Sequence, residues 1–300
     1  VNYASRYWTF ATNNNFTAGT SWSNATFTYT SADIVGSEAS LKGDVFDATT
    51  GVWTEFASSS ATANVLTITS GPTTTTLLNG NIITPRQDPA LYYQSASSGA
   101  WNSASTWQID ITPSFTAPIA ATTFPTAANS LGAYVRNGHT VSVSSNISID
   151  DLTIDAGAIV SVTNNSLTIA NGASSTDATV DVGGTLLMSS ATNNALIIST
   201  GAALQVKGLM KQTGAGSPDI TNSGTITVGS GATYEHARDA GIIPTCTWGS
   251  GSTCLLSGTS LNAPTGLAQS FHHFTVNTTL GNSVNCSGAL QTINGKFKLT

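Results

Sequence analysis

Residues 141–169 read VSVSSNISIDDLTIDAGAIVSVTNNSLTI, and this stretch decides the fold class. Its short apolar–polar–apolar runs include those at 141–143, 152–154, 160–162 and 167–169. A period of two is typical of strands with one buried face. Asn, Asp and Gly separate the runs at short intervals, as they do at turns. The stretch therefore predicts consecutive short β-strands with no helix between them.

Similar runs continue to residue 228, and Gly-Ala pairs recur beside them at 157–158, 172–173, 201–202 and 231–232. Short strands that recur at roughly 15 to 30 residues indicate a solenoid. We expect the apolar members of the runs to share one continuous interior. These members are Val141, Val143, Leu152, Ile154, Val160, Val162, Leu167, Ile169, Val180, Val182, Leu196, Ile198, Leu204, Val206, Ile226 and Val228.

The charge content supports the same fold. Only 8% of the residues are charged, with 9 Lys+Arg against 15 Asp+Glu and a net charge of −6, whereas a globular domain carries about 25%. In a parallel β-helix successive turns stack at about 4.8 Å, so like charges in a ladder would repel while Thr, Ser and Asn stack without that cost. A β-sandwich of long hairpins is the alternative, but Asn-Gly pairs are rare after residue 140. We expect an all-β chain with a right-handed parallel β-helix over 131–300.

The first part of the chain has a different texture. Most aromatic residues lie within 1–93, and alternating runs at 26–29, 39–42 and 65–68 are separated by turn signals at 13–15, 50–51 and 79–80. This pattern predicts a β-sandwich module over 1–93. A Pro-bearing connector is expected over 94–130. The last residues, 290–300, look like a further turn without a cap, so we expect the natural chain to continue past Thr300.

Composition also excludes partners. So few Lys and Arg leave no basic patch for phosphate contacts, which argues against nucleic acid. No apolar run approaches the roughly 18 to 20 residues of a membrane span, so membrane insertion is not expected. The chain opens at Val1 without Met or a signal peptide, and we interpret it as a piece of a longer protein.

The three cysteines, Cys246, Cys254 and Cys286, lie in the last fifth of the chain. An odd number cannot close into internal disulfides alone. The spacing of Cys246 and Cys254 lacks the paired CxxC of a zinc site. We expect buried or bridged cysteines, and the pairing among them stays open.

The densest ionisable cluster is Glu235, His236, Arg238 and Asp239. It could supply an acid, a base and an anion binder, as catalytic sites require. A solvated loop leaving the solenoid is the alternative that we favour. Polysaccharide lyases and hydrolases also use parallel β-helices, but they need carboxylates gathered on one face, and the acids here are scattered. We therefore expect no enzyme and no catalytic residues.

Other ionisable groups offer weaker candidates, and we expect no metal and no cofactor. Adjacent residues in a strand point to opposite faces, so the pair at 272–273 should not share an ion. The acids could hold structural calcium, an alternative that stays open although no Asp-x-Asp-x-Asp loop is present. His139 is expected to be a turn residue. A pair of lysines that lie near each other in the sequence follows Arg136. The residues concerned are His272 and His273, Asp150, Asp151, Asp155, Asp177 and Asp181, and the basic pair Lys207 and Lys211.

Several motifs carry a family resemblance. They are WNSASTW at 101–107, NGHTVSV at 137–143, LTIDAGA at 152–158, IPTCTWGSGSTC at 243–254, FHHFTVN at 271–277 and TING at 292–295. Together they resemble the β-helix segments of large Bacteroidota cell-surface proteins, adhesins exported by the type IX secretion system. The resemblance covers about residues 99–300. We expect the C-terminal sorting domain that such proteins carry to lie outside this fragment, and Cys246 stands where a small non-thiol residue is expected.

The resemblance implies an extracellular, cell-surface location and a structural or adhesive role as a rod or stalk, in some relatives for gliding motility. It implies as partners the other modules of the same chain, the secretion machinery during export, and a surface polysaccharide. No catalytic residue is carried over. A carbohydrate-binding module or a β-helix polysaccharide lyase or hydrolase is the alternative function.

Overall fold

The computed structural model describes residues 91–300 except 192–193, 217–218, 279–285 and 287. In the first ninety residues it describes 3–4, 8–9, 25–35, 38, 41–47, 52–56, 59–68 and 82–86. The described residues are all-β, with two short 3-10 turns at Ser31–Asp33 and Ala104–Thr106. None of the described helices is long and apolar enough to span a membrane. The chain divides into two compact units, Val1–Pro89 and Ala90–Thr300.

The first unit contains antiparallel sheets. Its described strands are β1 (Tyr3–Ala4), β2 (Trp8–Thr9), β3 (Ala25–Thr28), β4 (Ile34–Val35), β5 (Lys42–Asp47), β6 (Val52–Glu55), β7 (Ser59–Thr62), β8 (Val65–Ile68) and β9 (Ile82–Arg86). Six of them form one sheet around β9 and β5, and β3, β8 and β7 form a second. The runs at 26–29 and 65–68 lie on the paired strands β3 and β8, as their alternation indicates. The predicted turns at 13–15, 50–51 and 79–80 lie outside the described residues.

One apolar cluster joins elements of both sheets in this unit. Its members are Tyr29, Leu41, Phe56, Ala61, Leu66 and Ile68. A Cβ on Gly43 of β5 would lie 3.1 Å from Cδ1 of Ile68, so β5 packs closely against the β8 side chains. The alternating residues of the first unit therefore build a shared core.

The second unit is a parallel β-solenoid of about six turns. Sheet 1 contains β10 (Leu91–Ser95), β14 (Ser130–Val135), β17 (Leu152–Ile154), β20 (Ala178–Val180), β23 (Ala203–Val206), β26 (Thr225–Val228) and β28 (Thr247–Trp248). Two antiparallel strands, β12 (Trp107–Asp110) and β13 (Ile119–Ala120), extend its β10 edge.

Sheet 2 runs parallel throughout. It contains β11 (Gly99–Ala100), β15 (Thr140–Val143), β18 (Ile159–Val162), β21 (Thr185–Met188), β24 (Leu209–Gln212), β27 (Thr233–His236), β29 (Thr253–Leu256), β31 (His273–Val276) and β33 (Phe297–Leu299).

Sheet 3 contains β16 (Ile147–Ile149), β19 (Leu167–Ile169), β22 (Leu196–Ile198) and β25 (Ile220–Asn222), and a separate parallel pair joins β30 (Ser270–Phe271) to β32 (Thr292–Ile293). Each turn, called a rung below, contributes about one strand to each sheet.

The interior is the predicted one with a single exception. Val141, Val160, Leu186 and Met210 occupy matching positions on successive strands of sheet 2, and all four are buried. Leu167 and Leu196 are likewise register partners in the buried face of sheet 3. The alternation in the sequence thus selects the inward residues of one continuous core.

Val182 was predicted to be interior, and this prediction is wrong because its side chain is 72% exposed. Strand β20 ends at Val180, and the chain turns through Gly183, whose φ is +86°. The period-two rule, by which the second residue after an inward one also points inward, holds only while the backbone stays extended. The turn therefore carries Val182 outward.

The interior also changes character along the solenoid. Near its start Trp101 and Trp107 pack edge to face at 5.0 Å, and the Trp101 indole donates to the Pro125 carbonyl at 2.9 Å. Later rungs place aromatic rings inside, with Trp248 to Phe271 at 4.9 Å and Phe271 to Phe274 at 5.0 Å. The solenoid core is therefore closed by aromatic residues near its first rungs and filled with them near its last.

The segment predicted as a connector, 94–130, differs from that description in the structure. Strands β11, β12 and β13 lie within it, and all three belong to solenoid sheets. Its prolines suggested a loop, but Pro113, Pro118 and Pro125 fall between strands rather than inside them. Short strands flanked by proline were therefore hidden in a segment with a loop-like composition.

Glycine permits a close approach between rungs at Gly208. A Cβ at this position would lie 2.3 Å from the carbonyl oxygen of Asp181 and 2.5 Å from that of Gly184. The Gly208 amide donates to the Val180 carbonyl at 3.1 Å. A larger residue here would force adjacent turns apart.

Candidate functional site

The cluster at 235–239 is divided by the alternation of β27. Glu235 points outward, where it accepts hydrogen bonds from Lys211 Nζ at 2.9 Å and Ser257 Oγ at 2.6 Å. His236 points inward and is fully buried. The acid and the base that a catalytic site would combine therefore lie on opposite faces of sheet 2.

His236 belongs to a buried polar chain. The Tyr234 hydroxyl contacts both the Gln212 Oε1 and, at 3.2 Å, the His236 Nδ1. The His236 Nε2 lies 2.6 Å from the Ala240 carbonyl oxygen and donates to it. Burial lowers the pKa of His236, so its ring is neutral at neutral pH, and burial raises the pKa of Tyr234. The chain is suited to holding rungs together rather than to exchanging protons with solvent.

Arg238 and Asp219 form the charged part of this corner. The guanidinium Nη1 lies 3.9 Å from the Asp219 Oδ2 and donates to the Gly216 carbonyl at 2.5 Å. The Asp219 side chain is fully buried. Burial raises the pKa of Asp219 from its ordinary 3.8 to about 6, although the Gln212 amide and Arg238 oppose the rise. Arg238 serves here as a partner of an interior carboxylate, not as a binder of external anions.

Asp239 anchors a neighbouring loop. Its Oδ1 accepts backbone N–H bonds from Ser260, Leu261 and Asn262 at 2.8 to 2.9 Å. These bonds hold the pKa of Asp239 well below its ordinary value. The loop that we expected for this cluster is thus present at its end, with the carboxylate as its support.

The adjacent histidines do not point to opposite faces, and that prediction is wrong. His272 lies in a bend between β30 and β31, and its ring meets the His273 ring edge to face at 4.4 Å. The His273 Nδ1 accepts the Lys296 N–H at 2.9 Å, so this lone pair is occupied. The strand rule did not apply because the bend at His272 separates the two strands.

The aspartates considered for calcium are dispersed among different partners. Asp155 pairs with Arg136 at 3.1 Å, and Asp181 pairs with Lys207 at 3.2 Å. Asp177 is buried and accepts the Gly172 N–H at 2.6 Å and the Ala203 N–H at 2.8 Å. Burial raises the pKa of Asp150. Across the described ranges, no three His, Cys, Asp or Glu side chains come together in a way that could hold a metal.

The remaining candidates are scaffold residues. His139 Nδ1 lies 2.8 Å from Ser95 Oγ, which also accepts the Arg136 N–H at 2.9 Å. The three cysteines are free thiols. Cys254 is an interior residue, and burial raises the pKa of Cys246 to about 12, which leaves its thiol unreactive at neutral pH.

An aromatic cluster that sequence reasoning missed lies on the outer face of sheet 1. The Arg136 guanidinium sits 4.9 Å from the Tyr134 ring centre and 5.0 Å from that of Phe115. It also donates to the Gln94 Oε1 at 2.6 Å. Tyr134 lies on β14 and Arg136 follows it two residues later, just past the end of the strand, which was a usable signal, but Phe115 comes from the Pro-bearing loop, which gave none.

Tyr92 completes this surface, which we call the tyrosine platform: Tyr92, Tyr134 and the intervening Gly132. A Cβ on Gly132 would lie 3.3 Å from Tyr134 Cε2 and 3.4 Å from Tyr92 Cδ1. The two rings therefore lean over the glycine from both sides, and both remain half-exposed. A partly exposed pair of aromatic rings on a sheet face offers apolar contact area to a ligand.

Comparison with known proteins gives no relative. No protein-family model matches the chain, and neither a curated protein nor a solved structure is significantly similar to it.

Proposed function

We propose that the chain is an extended structural segment, a rod or stalk, of a large secreted cell-surface protein. The observation that carries the proposal is that charged side chains of the solenoid form ion pairs between successive rungs. The ion pairs between described residues of this unit each join one rung to the next. They are Arg136–Asp155, Lys207–Asp181, Lys211–Glu235 and Arg238–Asp219.

Other carboxylates link rungs through the backbone. Asp177 bonds to Ala203 on the following rung, and Asp239 bonds to the loop at 260–262 on the next. Exposed ion pairs contribute little individually, but buried carboxylates that accept backbone N–H bonds contribute more. In a solenoid, stability is approximately a sum over rungs and their interfaces. Side chains that tie successive rungs at several interfaces support a role in which length and stiffness matter.

The family resemblance supplies the setting of this proposal. The segment is extracellular, belongs to an adhesin exported by the type IX system, and stands between other modules of the same polypeptide. The first unit is a β-sandwich module, which its shared core across two antiparallel sheets supports. The solenoid is right-handed, as crossover connections between parallel strands nearly always are.

Optical tweezers applied to the full 300-residue chain, held at its two ends, test the proposal. We expect the folded solenoid to keep its length under load and then to lengthen in discrete steps. Asp177→Ala should lower the force of these steps because it removes a buried tie between rungs. The matched control Asp181→Ala removes an exposed tie and should leave the force nearly unchanged. Gradual lengthening without steps, or equal effects of the two variants, would contradict a load-bearing role.

We propose further that the segment has no hydrolase or lyase activity. Glycoside cleavage needs two carboxyl groups facing one bond, whereas Glu235 is engaged by Lys211 and Asp239 supports a loop. Incubation with neutral and acidic polysaccharides should release no new reducing ends. Turnover that Glu235→Ala or Asp239→Ala abolishes would reverse this proposal. Binding of carbohydrate without turnover would not contradict this proposal, and the tyrosine platform is a surface at which such binding could occur.

A further inference from the structure

The tyrosine platform lies at one end of a polar column. Gln94, Tyr134 and Thr153 are register partners on neighbouring strands of sheet 1, and Thr179, Gln205, Thr227 and Thr247 continue the same outward position. Within the described part of the chain, the hydroxyls of Thr153, Thr179 and Thr227 have no hydrogen-bond partner. Gln94 is buried and bonded to Arg136, so the column presents a hydroxyl or amide on each rung from Tyr134 onward, and the rungs repeat at ~4.8 Å.

The rung spacing of ~4.8 Å is comparable to the length of one sugar residue in an extended glycan chain. Sugars carry hydroxyls along their edges and an apolar face of C–H groups. Threonine and glutamine side chains both donate and accept hydrogen bonds, and tyrosine rings offer the apolar contact area. The face therefore combines the two contacts that a sugar chain requires.

Two ion pairs lie beside the column, and two further carboxylates, Asp110 opposite Tyr92 and Asp151 near Tyr134, lie there as well. Arg136 pairs with Asp155, and Asp181 pairs with Lys207, on the positions next to Tyr134, Thr153, Thr179 and Gln205. Arg136 is fully engaged, since it also bonds to Gln94 and stacks on Tyr134. An acidic polysaccharide would find no uncommitted cation among these groups, so the face suits an uncharged chain.

We infer that the outer face of sheet 1 binds a neutral, linear polysaccharide, with Tyr92 and Tyr134 stacking on a sugar ring and the threonine column bonding to the following residues. Arg136 is a positioning residue, because its guanidinium fixes the Tyr134 ring from one side. The inference does not rest on the proposed structural role, and a rod with or without this site would behave alike under load.

Calorimetric titration of the full chain tests the inference with three uncharged probes, cellohexaose, xylohexaose and mannohexaose, and with an acidic one, hexagalacturonate. We expect saturable binding of at least one neutral probe and none of the acidic probe. Tyr92→Ala should weaken binding roughly tenfold, as loss of one aromatic contact does, while Tyr92→Phe should retain it. Thr179→Ala should weaken binding, whereas Thr185→Ala, a matched outward threonine of sheet 2, should not.

Melting curves of each variant verify that the fold is kept. Failure of all three neutral probes to bind would overturn the inference. So would binding that Tyr92→Ala leaves unchanged, or binding of hexagalacturonate alone. The tweezers experiment addresses the structural role separately, so the two proposals can fail independently.

Discussion

Asp219 makes the interior of the solenoid sensitive to pH. Its carboxyl group is buried, and its pKa is raised from 3.8 to about 6, mainly by loss of water. The folded chain therefore binds a proton there more tightly than the unfolded chain does. Stability from this group is fully present at low pH and is lost as pH rises from about 4 to about 6.

We expect Asp219→Asn to remove this pH dependence. At pH 7 the ionised group costs about 3 kcal/mol relative to low pH, from ~1.4 kcal/mol per pKa unit, and asparagine does not ionise. Arg238 keeps its carbonyl partners, Gly216 and Ala215, in the variant. In thermal melts at pH 4, 5, 6 and 7, the melting temperature of the variant should rise relative to that of the wild type as pH rises. A constant difference across this range would contradict the assignment.

Individual side chains also mark where sequence reasoning succeeded and where it did not. Ile154 and Val180 could be placed inside because each belongs to an alternating run with turn residues on both sides. Val182 could not, since the end of β20 depends on the turn at Gly183. The inward orientation of His236 was predictable in principle, because Gln212 and His236 occupy the same inward position of neighbouring strands. It was missed because polar residues are not expected in a core.

At the scale of the strand, each β-element of the solenoid is stabilised from above and below. Ile169 of β19 lies between Ile149 of β16 and Ile198 of β22 in exact register, and all three are buried. Its neighbour Thr168 points outward and is half-exposed. One strand therefore offers an interior and an exterior position in the same local backbone.

We expect Ile169→Asp to destabilise the solenoid by several kcal/mol, since an unpaired carboxylate would be buried between rungs. Thr168→Asp, the matched control on the same strand, and Lys298→Asp, on the exposed strand β33, should each cost roughly 0.5 kcal/mol or less. Denaturant melts of the three variants measure these costs. Equal shifts for Ile169→Asp and Thr168→Asp would contradict a buried face and an exposed face on β19, and a larger shift for Thr168→Asp would mean that the two faces had been exchanged.

The tyrosine platform shows what the sequence of single strands does not predict. Neither Tyr92 nor Tyr134 stands out in the sequence, because the platform arises from strands β10 and β14, which are 35 residues or more apart along the chain and adjacent in sheet 1. Gly132 matters only because both rings lean over it. Such a surface depends on register between rungs, and a single alternating run does not reveal which strand will lie beside it.

At the scale of the whole solenoid, repetition determines the architecture. Period-two runs, Gly-Ala pairs and a low charge content were sufficient to predict stacked turns, because all three reflect the same ladder geometry. Composition misled where the repeat is irregular, as in the segment containing β11, β12 and β13. The aromatic filling of the later rungs was also hidden, since Tyr234, Trp248 and Phe271 are spaced far apart in sequence.

In a solenoid that extends as a rod, each rung adds a fixed length along one axis. Ser142, Leu187 and Thr275 occupy the same outward position of sheet 2, with Leu187 two rungs after Ser142 and Thr275 four rungs after Leu187. At ~4.8 Å per rung, Thr275 should lie ~19 Å from Leu187 and ~29 Å from Ser142.

Electron–electron double resonance between nitroxide labels tests this requirement most directly. The labels are placed on cysteines introduced at 142 and 275, or at 187 and 275, in a chain whose native cysteines are replaced by alanine. Since the label arms add a similar length to both pairs, the two distances should differ by ~10 Å, the rise of two rungs. Distances that are equal, or a shorter one for the 142–275 pair, would contradict a solenoid that extends as a rod.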